Sequence, residues 1–229
     1  GAMLTMKELL DIGSTVRAVR TLRDWRDGSG QDPLSIDIYF SSLMPNKFLE
    51  EKIFSAILSE DEMSDNASPE LASIRRKIKN QENSVREKLE KIIRSQNLKN
   101  VLQDAIITQR NGRYVVPVKS EHRATVSGLV HDTSSTGATV FVEPAGVVEA
   151  NNELRALQGE EKAEIERILY ELTSECSRFS SDLTLSYNTI ISIAVIFAKA
   201  DFSLDYDCCE PVVSKDRYLR LNEARHPLL

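Results

Sequence analysis

Hydrophobic residues recur at steps of three and four along most of this chain, a spacing that places them on one face of an α-helix. The first such stretch covers residues 4–25 and contains Leu9, Ile12, Val16, Val19 and Leu22. Two glycines and a proline between positions 28 and 33 end it. The pattern therefore predicts an N-terminal helix.

A second helix is predicted from Pro45 to Ser59. Its inward-facing residues are expected to be Phe48, Leu49, Ile53, Ala56 and Ile57. Residues 59–68 are polar and acidic, and we predict a loop there.

A long helix is predicted from Pro69 to about Leu102. Ser68 can cap its first turn, and a proline at the first helical position lacks only an N–H that would have no helical partner. Apolar residues continue at helical steps through Leu71, Ile74, Ile78, Val85, Leu89 and Ile92. At 1.5 Å per residue this helix would measure ~50 Å, so we expect a partner helix beside it.

The partner is predicted from about Val147 to about Leu204. Its inward positions follow steps of 3, 4 and 4: Leu154, Leu157, Glu161, Ile165, Ile168, Leu172, Cys176, Phe179, Leu183, Tyr187, Ile190, Ala194 and Phe197. An 11-residue repeat gives about 3.67 residues per turn, so the helix should be nearly straight. Its later part is more apolar, and we expect that part to enter a helical core.

The stretch between these helices, Gln109 to Pro144, is predicted to be β-structure. Asn111-Gly112 separates two runs of β-forming residues, which is a strong hairpin signal. Two further strands are predicted around a turn at residues 134–137. Pro117 cannot donate a ladder hydrogen bond, so we place its strand at a sheet edge. A last β-like segment is predicted at residues 217–221.

These elements define a mainly α fold: a helical core with a two-helix coiled-coil lever that carries a small β-rich tip. The predicted parts are a cloning remnant (1–3), a discontinuous core (4–67 and 176–229), two lever helices (68–108 and 145–175) and the tip (109–144). The end at Leu229 lacks a helix terminus or polar tail, so we expect a longer parent protein.

Charge is unevenly distributed. The net charge is −6, but residues 68–131 contain 13 Lys and Arg against 6 Asp and Glu. The second lever helix is acidic, with Glu149, Glu153, Glu160, Glu161, Glu164, Glu166, Glu171 and Glu175. The basic arm therefore either complements its acidic neighbour or contacts an anionic partner.

No sequence motif indicates catalysis, a cofactor or a metal in this chain. P-loop, dinucleotide and zinc-protease motifs are absent, and the three histidines have no metal-ligand spacing. Residues 133–137 (TSSTG) are interpreted as a plain turn. His131-Asp132 with Glu143 is interpreted as surface or strand pairing. Three cysteines without CxxC spacing indicate a reduced, cytoplasmic setting, with Cys176 as a core residue. No uninterrupted apolar run suggests a membrane partner.

The tip does carry a cluster of cations. Arg110, Arg113, Lys119, His122 and Arg123 lie near Tyr114, with Glu121 as the single acid among them. We select Arg110, Arg113, Lys119 and Arg123 as candidate nucleic-acid contacts, because such side chains bind phosphates. An ordinary solvated β-surface is the alternative interpretation.

Long stretches of the chain resemble the middle of the bacterial MutS family, in its second branch (MutS-two). They are ITQRNGRYVVPVKSEHRATVSGLVHDTSSTGATVFVEP, VVEANNELRALQGEE, the terminal EARHPLL, and NASPELASIRR against a family pattern SASPELxxIRR. The resemblance covers essentially residues 4–229. It departs at residues 59–68, where the family usually has a glycine-containing turn.

The resemblance implies a core, lever and clamp, and a parent that continues into an ATPase domain, with ATP and Mg²⁺, and an Smr-type nuclease domain. It also implies a homodimer with roles in suppressing recombination, binding branched DNA or rescuing ribosomes. No ATPase or nuclease residue of the family falls in this chain. We therefore expect a non-catalytic region that binds nucleic acid or ribosomes. The alternative is a coiled-coil dimerisation spacer without nucleic-acid contact.

Overall fold

A computed structural model describes residues 2–30, 32–213, 215 and 217–221 of the chain. Gly1 of the predicted remnant, and the terminal motif with His226, lie outside the described residues. The chain divides into two compact units: unit 1 comprises residues 1–10 and 52–174, and unit 2 comprises residues 11–51 and 175–229.

The chain is mainly α-helical, as predicted. The α-helices are α1 (Met6–Gly28), α2 (Asp37–Ser41), α3 (Lys47–Ala56), α4 (Pro69–Ile93), α5 (Val148–Arg178) and α6 (Ser180–Asp205). The strands are β1 (Ile57–Ser59), β2 (Glu62–Met63), β3 (Thr108–Arg110), β4 (Arg113–Lys119), β5 (Gly128–Thr133) and β6 (Thr139–Pro144). Short 3-10 turns occupy Asp65–Ala67, Gln96–Leu98, Ser120–Thr125 and Ala145–Val147.

Helix α4 begins as predicted and ends early. The Ser68 hydroxyl accepts a hydrogen bond from Leu71 N at 2.9 Å, which confirms the cap. The predicted end at Leu102 is wrong, because α4 stops at Ile93 after ~37 Å. The following backbone hydrogen-bonds to β4 instead: Gln103 N donates to Pro117 O and Lys119 N to Val101 O. Pairing with a strand thus replaces further helix turns.

The tip strands form an antiparallel sheet in the order β3-β4-β6-β5. The predicted hairpin is confirmed, since Asn111 and Gly112 both have positive φ, at 53° and 74°. The predicted turn between β5 and β6 is confirmed too, closed by a hydrogen bond from Gly137 N to Ser134 O.

Placing Pro117 at a sheet edge was wrong. Strand β4 lies between β3 and β6, and Pro117 is paired with Phe141 of β6. Its carbonyl accepts from Gln103 on the opposite side of the strand. Because the N and C=O of one strand residue point the same way, the proline nitrogen faces away from β6. The β4–β6 ladder therefore loses no hydrogen bond.

Unit 1 has a core built from the tip, α4 and the start of α5. Val85 and Leu89 of α4 are buried in one cluster with Val116 and Val142 of the sheet and Leu154 of α5. The apolar row of α4 predicted from the sequence thus packs against the tip as well as against a helix.

The predicted single helix from Val147 to Leu204 is interrupted. Helix α5 ends at Arg178, and Phe179 separates it from α6 with φ −103° and ψ 14°. Beyond the break the predicted inward positions hold only in part: Ile190 packs against the core of unit 2, whereas Tyr187, Ala194 and Phe197 are exposed. The buried face of α6 holds Ser186, Thr189 and Ile193 instead.

Unit 2 has a smaller core. Val19, Phe40, Leu43 and Ile193 pack together there. Cys176 is buried as predicted, and burial raises the pKa of its thiol.

Four smaller expectations were wrong. Phe48 is exposed, although Leu49 and Ile53 of the same helix face inward as predicted. Helix α3 ends at Ala56 and not at Ser59, because residues 57–59 form β1. The predicted loop at residues 59–68 contains β2 and a 3-10 turn, and its first residue ends β1, which pairs with β2. Residues 217–221 form no strand.

Within the described residues, α6 is long and apolar enough to cross a membrane by length and composition alone. The sequence of α6 is not an uninterrupted apolar run, because polar residues such as Ser186 and Asn188 lie within it. Core helices of soluble proteins satisfy the same criterion, so this finding is weak support for a membrane span.

Candidate nucleic-acid interface

Glu143 on β6 is the buried charge around which the tip is built. Its side chain is 0% exposed, and Arg113 Nη1 donates to both carboxylate oxygens, at 2.8 and 3.1 Å. His131 Nε2 lies 2.5 Å from Oε2. A buried carboxylate is tolerated when it is paired and hydrogen-bonded in this way. The side chain of Arg113, a candidate phosphate ligand, is thus engaged inside the protein.

Two asparagines of α5 complete this network. Asn151 Nδ2 donates to Glu143 at 2.7 Å and to Tyr114 O at 3.0 Å, and its Oδ1 accepts from Tyr114 N. Asn152 Oδ1 accepts from Arg113 at 2.6 Å. These bonds attach β4 and β6 to the first turns of α5. The sequence search missed both residues, although Asn151 sits between the inward positions Ala150 and Leu154.

The predicted surface and strand-pairing role is confirmed for Asp132, which is exposed and pairs with Phe141 in the β5–β6 ladder. His131 and Glu143, which lie on the same two strands, also meet through their side chains. Glu143 is fully buried, and His131 contacts it through its ring rather than through the strand ladder. Because two further donors occupy the same carboxylate, the arrangement resembles a structural ion network more than a proton-transfer pair.

Arg110 lies against the face of the β5–β6 hairpin. Its Nε is 3.1 Å from an Asp132 carboxylate oxygen, and its guanidinium carbon is 4.0 Å from the centroid of the Phe141 ring. Asn111, in the adjacent turn, donates to His131 O at 3.2 Å. The guanidinium remains partly exposed, so it offers a shielded rather than a free positive charge.

Arg123 and Lys119 differ in their engagement. The Arg123 guanidinium donates to the backbone carbonyls of Val126, at 3.0 Å, and Gly128, at 2.9 Å. Lys119 is half-buried, and no carboxylate among the described residues lies within ion-pair distance of it. The assignment of these four residues as nucleic-acid contacts stays a prediction.

Helices α4 and α5 are joined by few polar contacts. Arg75 Nε lies 2.7 Å from Glu161, and this is the ion pair between α4 and α5 in the part of the chain that the structure describes. Gln81 donates to Glu153 at 2.9 Å. Ser68 Oγ donates to Glu164 at 2.6 Å. Charge complementarity with α5 therefore accounts for Arg75 and leaves the other cations of α4 unexplained.

Glu164 is the most perturbed carboxyl of unit 1. Hydrogen bonds from Arg167 and then from Ser68 lower its pKa to about 2. The side chain is therefore a carboxylate at neutral pH, and it supports the cap of α4 from α5.

Among the described residues, no group of three or more His, Cys, Asp or Glu side chains could hold a metal ion. Residues 133–137 form the plain turn that was predicted, in which the Ser134 hydroxyl accepts from Thr139 N at 3.0 Å.

The chain was compared with known families and proteins. No family model matches it. It is 44% identical over 233 residues to an endonuclease MutS2 of Acetivibrio thermocellus, covering 100% of this chain and 29% of that protein. It is 44% identical to the endonuclease MutS2 of Clostridioides difficile and 40% identical to that of Bacillus cytotoxicus, again across the whole chain. The chain belongs to the MutS2 family. It spans under a third of the length of these MutS2 relatives.

Proposed function

We propose that this part of a MutS2 protein is a non-catalytic region that binds nucleic acid, as branched DNA or within ribosomes, in the cytoplasm. The excess of cations in residues 68–131, 13 against 6 acids, carries the proposal. Among the described residues only Arg75, Arg94, Arg110 and Arg113 of these cations lie within ion-pair distance of a carboxylate. Binding through phosphates requires cations that no protein carboxylate has already neutralised.

In this proposal, α4 and α5 form a lever and residues 109–144 form a clamp. ATP, Mg²⁺, dimer formation and any nuclease activity would belong to other parts of the whole protein. The biological role would be suppression of recombination, rescue of ribosomes, or both.

The test is titration of the 229-residue chain against a labelled four-way DNA junction, an rRNA hairpin and purified ribosomes at several salt concentrations. Binding that weakens steeply with salt is expected. Absence of binding to all three at low salt would refute the proposal.

The tip assignment needs variants that spare the buried network. Arg110→Glu with Lys119→Glu is expected to weaken binding, while Lys162→Glu with Lys199→Glu makes the same charge change on exposed helix positions elsewhere. Equal binding by the two double variants would remove Arg110 and Lys119 from the interface. Arg113 and Arg123 are better studied by unfolding, since their side chains are held by protein acceptors.

One observation favours a dimerisation spacer as the second candidate. Leu129 and Val130 are exposed on β5, the last strand of the sheet, and such edges can pair with another chain. This candidate predicts self-association that Val130→Lys abolishes, without salt-dependent nucleic-acid binding. Sedimentation velocity of the two proteins distinguishes it from the first.

A further inference from the structure

Helix α4 has basic residues on both sides of its buried face, and the two sides differ in how many of these residues contact other groups of the protein. Its inward face consists of the buried Leu71, Ile74, Val85 and Leu89 and the partly buried Ile78 and Ile92; we call these the buried positions. Residues that directly follow a buried position lie on one flank, and residues that directly precede one lie on the other, since each residue turns the helix by 100°.

Two cations on the first flank, Arg75 and Arg86, have partners within the protein. Arg75 pairs with Glu161 and Asp65, and the guanidinium of Arg86 lies 5.6 Å from the centroid of the Tyr114 ring. Lys79 is on this flank as well, and it is exposed.

The second flank carries a row of polar and basic side chains. It consists of Lys77, Asn80, Ser84, Lys88 and Lys91, which follow one another at steps of three and four. We call these residues the lysine row. Its three lysines are exposed, and none has a carboxylate within ion-pair distance among the described residues. Glu87 lies four residues before Lys91 on the same helix but is not within ion-pair distance of it. Glu153 of α5 accepts from Gln81.

We propose that the lysine row is a binding track for the sugar–phosphate backbone of double-stranded DNA, an inference that rests on the proposed function and gives it a site outside the tip. Lysine, asparagine and serine are side chains that contact phosphate oxygens. From Lys77 to Lys91 the row rises ~21 Å along the helix, and one strand of B-DNA carries about six phosphates over that distance.

The chemistry of the row favours a duplex over a single strand. Single strands are held by aromatic side chains on which bases stack, and the row contains none. The aromatic residue nearest to α4 in the network above, Tyr114, is buried. Recognition of duplex RNA adds contacts to 2′-hydroxyls across the minor groove to those with phosphates. The RNA duplex is therefore the comparison ligand in the experiment.

The experiment compares two triple variants of the 229-residue chain with equal charge change. The row variant is Lys77→Glu, Lys88→Glu and Lys91→Glu. The control variant is Lys79→Glu, Lys162→Glu and Lys199→Glu, all at exposed helix positions outside the row. Both are titrated with a labelled 20-base-pair DNA duplex and with the RNA duplex of the same sequence, across a salt series.

The row variant is expected to bind duplex DNA roughly tenfold to a hundredfold more weakly than the control, with a log–log salt slope smaller by roughly 2 to 3. In the unmodified chain, DNA should protect Lys77, Lys88 and Lys91 from acetylation and leave Lys79 reactive. This footprint by mass spectrometry needs no variant, so it also decides the question if the row variant fails to fold.

Equal DNA affinity of the row and control variants, or no protection of the row lysines, would overturn the inference while normal binding by the unmodified chain upholds the proposed function. Loss of RNA binding alone would overturn the assignment to DNA. If the unmodified chain binds no nucleic acid, the proposed function fails and the inference fails with it.

Discussion

The tip and helix α6 differ in the kind of side chain that each places in an unfavourable environment: a buried charge in the tip, and exposed apolar residues on α6. The tip buries a carboxylate and satisfies it completely, with Arg113, His131 and Asn151 around Glu143. Helix α6 has apolar residues on nearly all sides and leaves many exposed, including Tyr187 and Ile191. The polar groups of the tip network are therefore hydrogen-bonded within the protein, whereas α6 keeps an exposed apolar surface.

The difference shows where each region's stability comes from. In the tip, the polar atoms of the network depend on partners from other strands and from α5, so removing one member leaves buried polar atoms of another member without a hydrogen bond. In α6, the residues on the buried face contribute to stability independently of the residues on the exposed face. Substitutions anywhere in the tip network should therefore lower stability strongly. In α6, the loss of stability should depend on whether the substituted residue lies on the buried or the exposed face.

Removing the buried charge should have the largest effect. Glu143→Ala leaves the partly buried Arg113 without its counter-ion and is expected to destabilise the protein by about 3–5 kcal/mol. Urea unfolding followed by circular dichroism measures this. Glu149→Ala, at an exposed position at the start of α5, is the control and should change stability by under about 0.5 kcal/mol. Similar losses in both variants would contradict a special role for the network.

Helix α6 offers a pair of isoleucines on different faces. Ile193 is 5% exposed and Ile191 is 46% exposed. Ile193→Ala should destabilise by about 2–5 kcal/mol, and Ile191→Ala by well under half as much. Thermal unfolding of both variants checks the order. If Ile191→Ala were as costly, its face would be covered in solution, and sedimentation would then show whether a second copy covers it.

The backbones of Gly128 and Glu143 lie close together in the tip, and substitutions of glycine test this contact. A Cβ added at Gly128 would lie 2.0 Å from the carbonyl oxygen of Glu143, whereas one added at Gly146 would meet nothing within 4 Å. Gly128→Ala is expected to destabilise by about 1–3 kcal/mol through overpacking. Gly146→Ala should be nearly neutral. The prediction fails if chemical denaturation gives the two variants the same midpoint.

Low pH should destabilise each unit by a smaller amount, because each contains a glutamate whose pKa is lowered in the folded protein. Hydrogen bonds from Arg20 and then Arg17 lower the pKa of Glu50 in unit 2 to about 2. Glu164 in unit 1 also has a pKa of about 2, because of Arg167 and Ser68. Since an unfolded glutamate titrates near about 4.3, both stabilise the fold above that pH, and the stabilisation is lost as pH falls toward about 2.

Glu50→Gln and Glu164→Gln should each make stability less dependent on pH in that window. Unfolding measured between pH 5 and pH 2.5 tests this. A pH profile identical to that of the unmodified chain would contradict the assignment for the residue replaced.

Much of the candidate site could not be predicted from the sequence, because folding brings its residues together from distant segments of the chain. Arg113 was selected as an exposed cation, and local sequence contains nothing that predicts Glu143 beneath it. Asn151 and Asn152 were overlooked because polar residues at the start of a helix usually face water. By contrast, the Asn111-Gly112 turn was predictable, since positive φ at two successive residues is a local requirement.

The sequence by itself determined the helical periodicity, the Ser68 cap, the hairpin at residues 111–112 and the family, because each depends on neighbouring residues or on long matched motifs. Tertiary structure alone decided where α4 ends, which face of α6 is buried and which cations are occupied. The physical reason is competition between local and long-range contacts. Residues 101–103 pair with β4 instead of continuing a helix, and α6 has apolar residues on several faces and buries Ser186 and Thr189, so its apolar pattern does not identify the buried face. A guanidinium is free or engaged according to the carboxylates that folding brings to it.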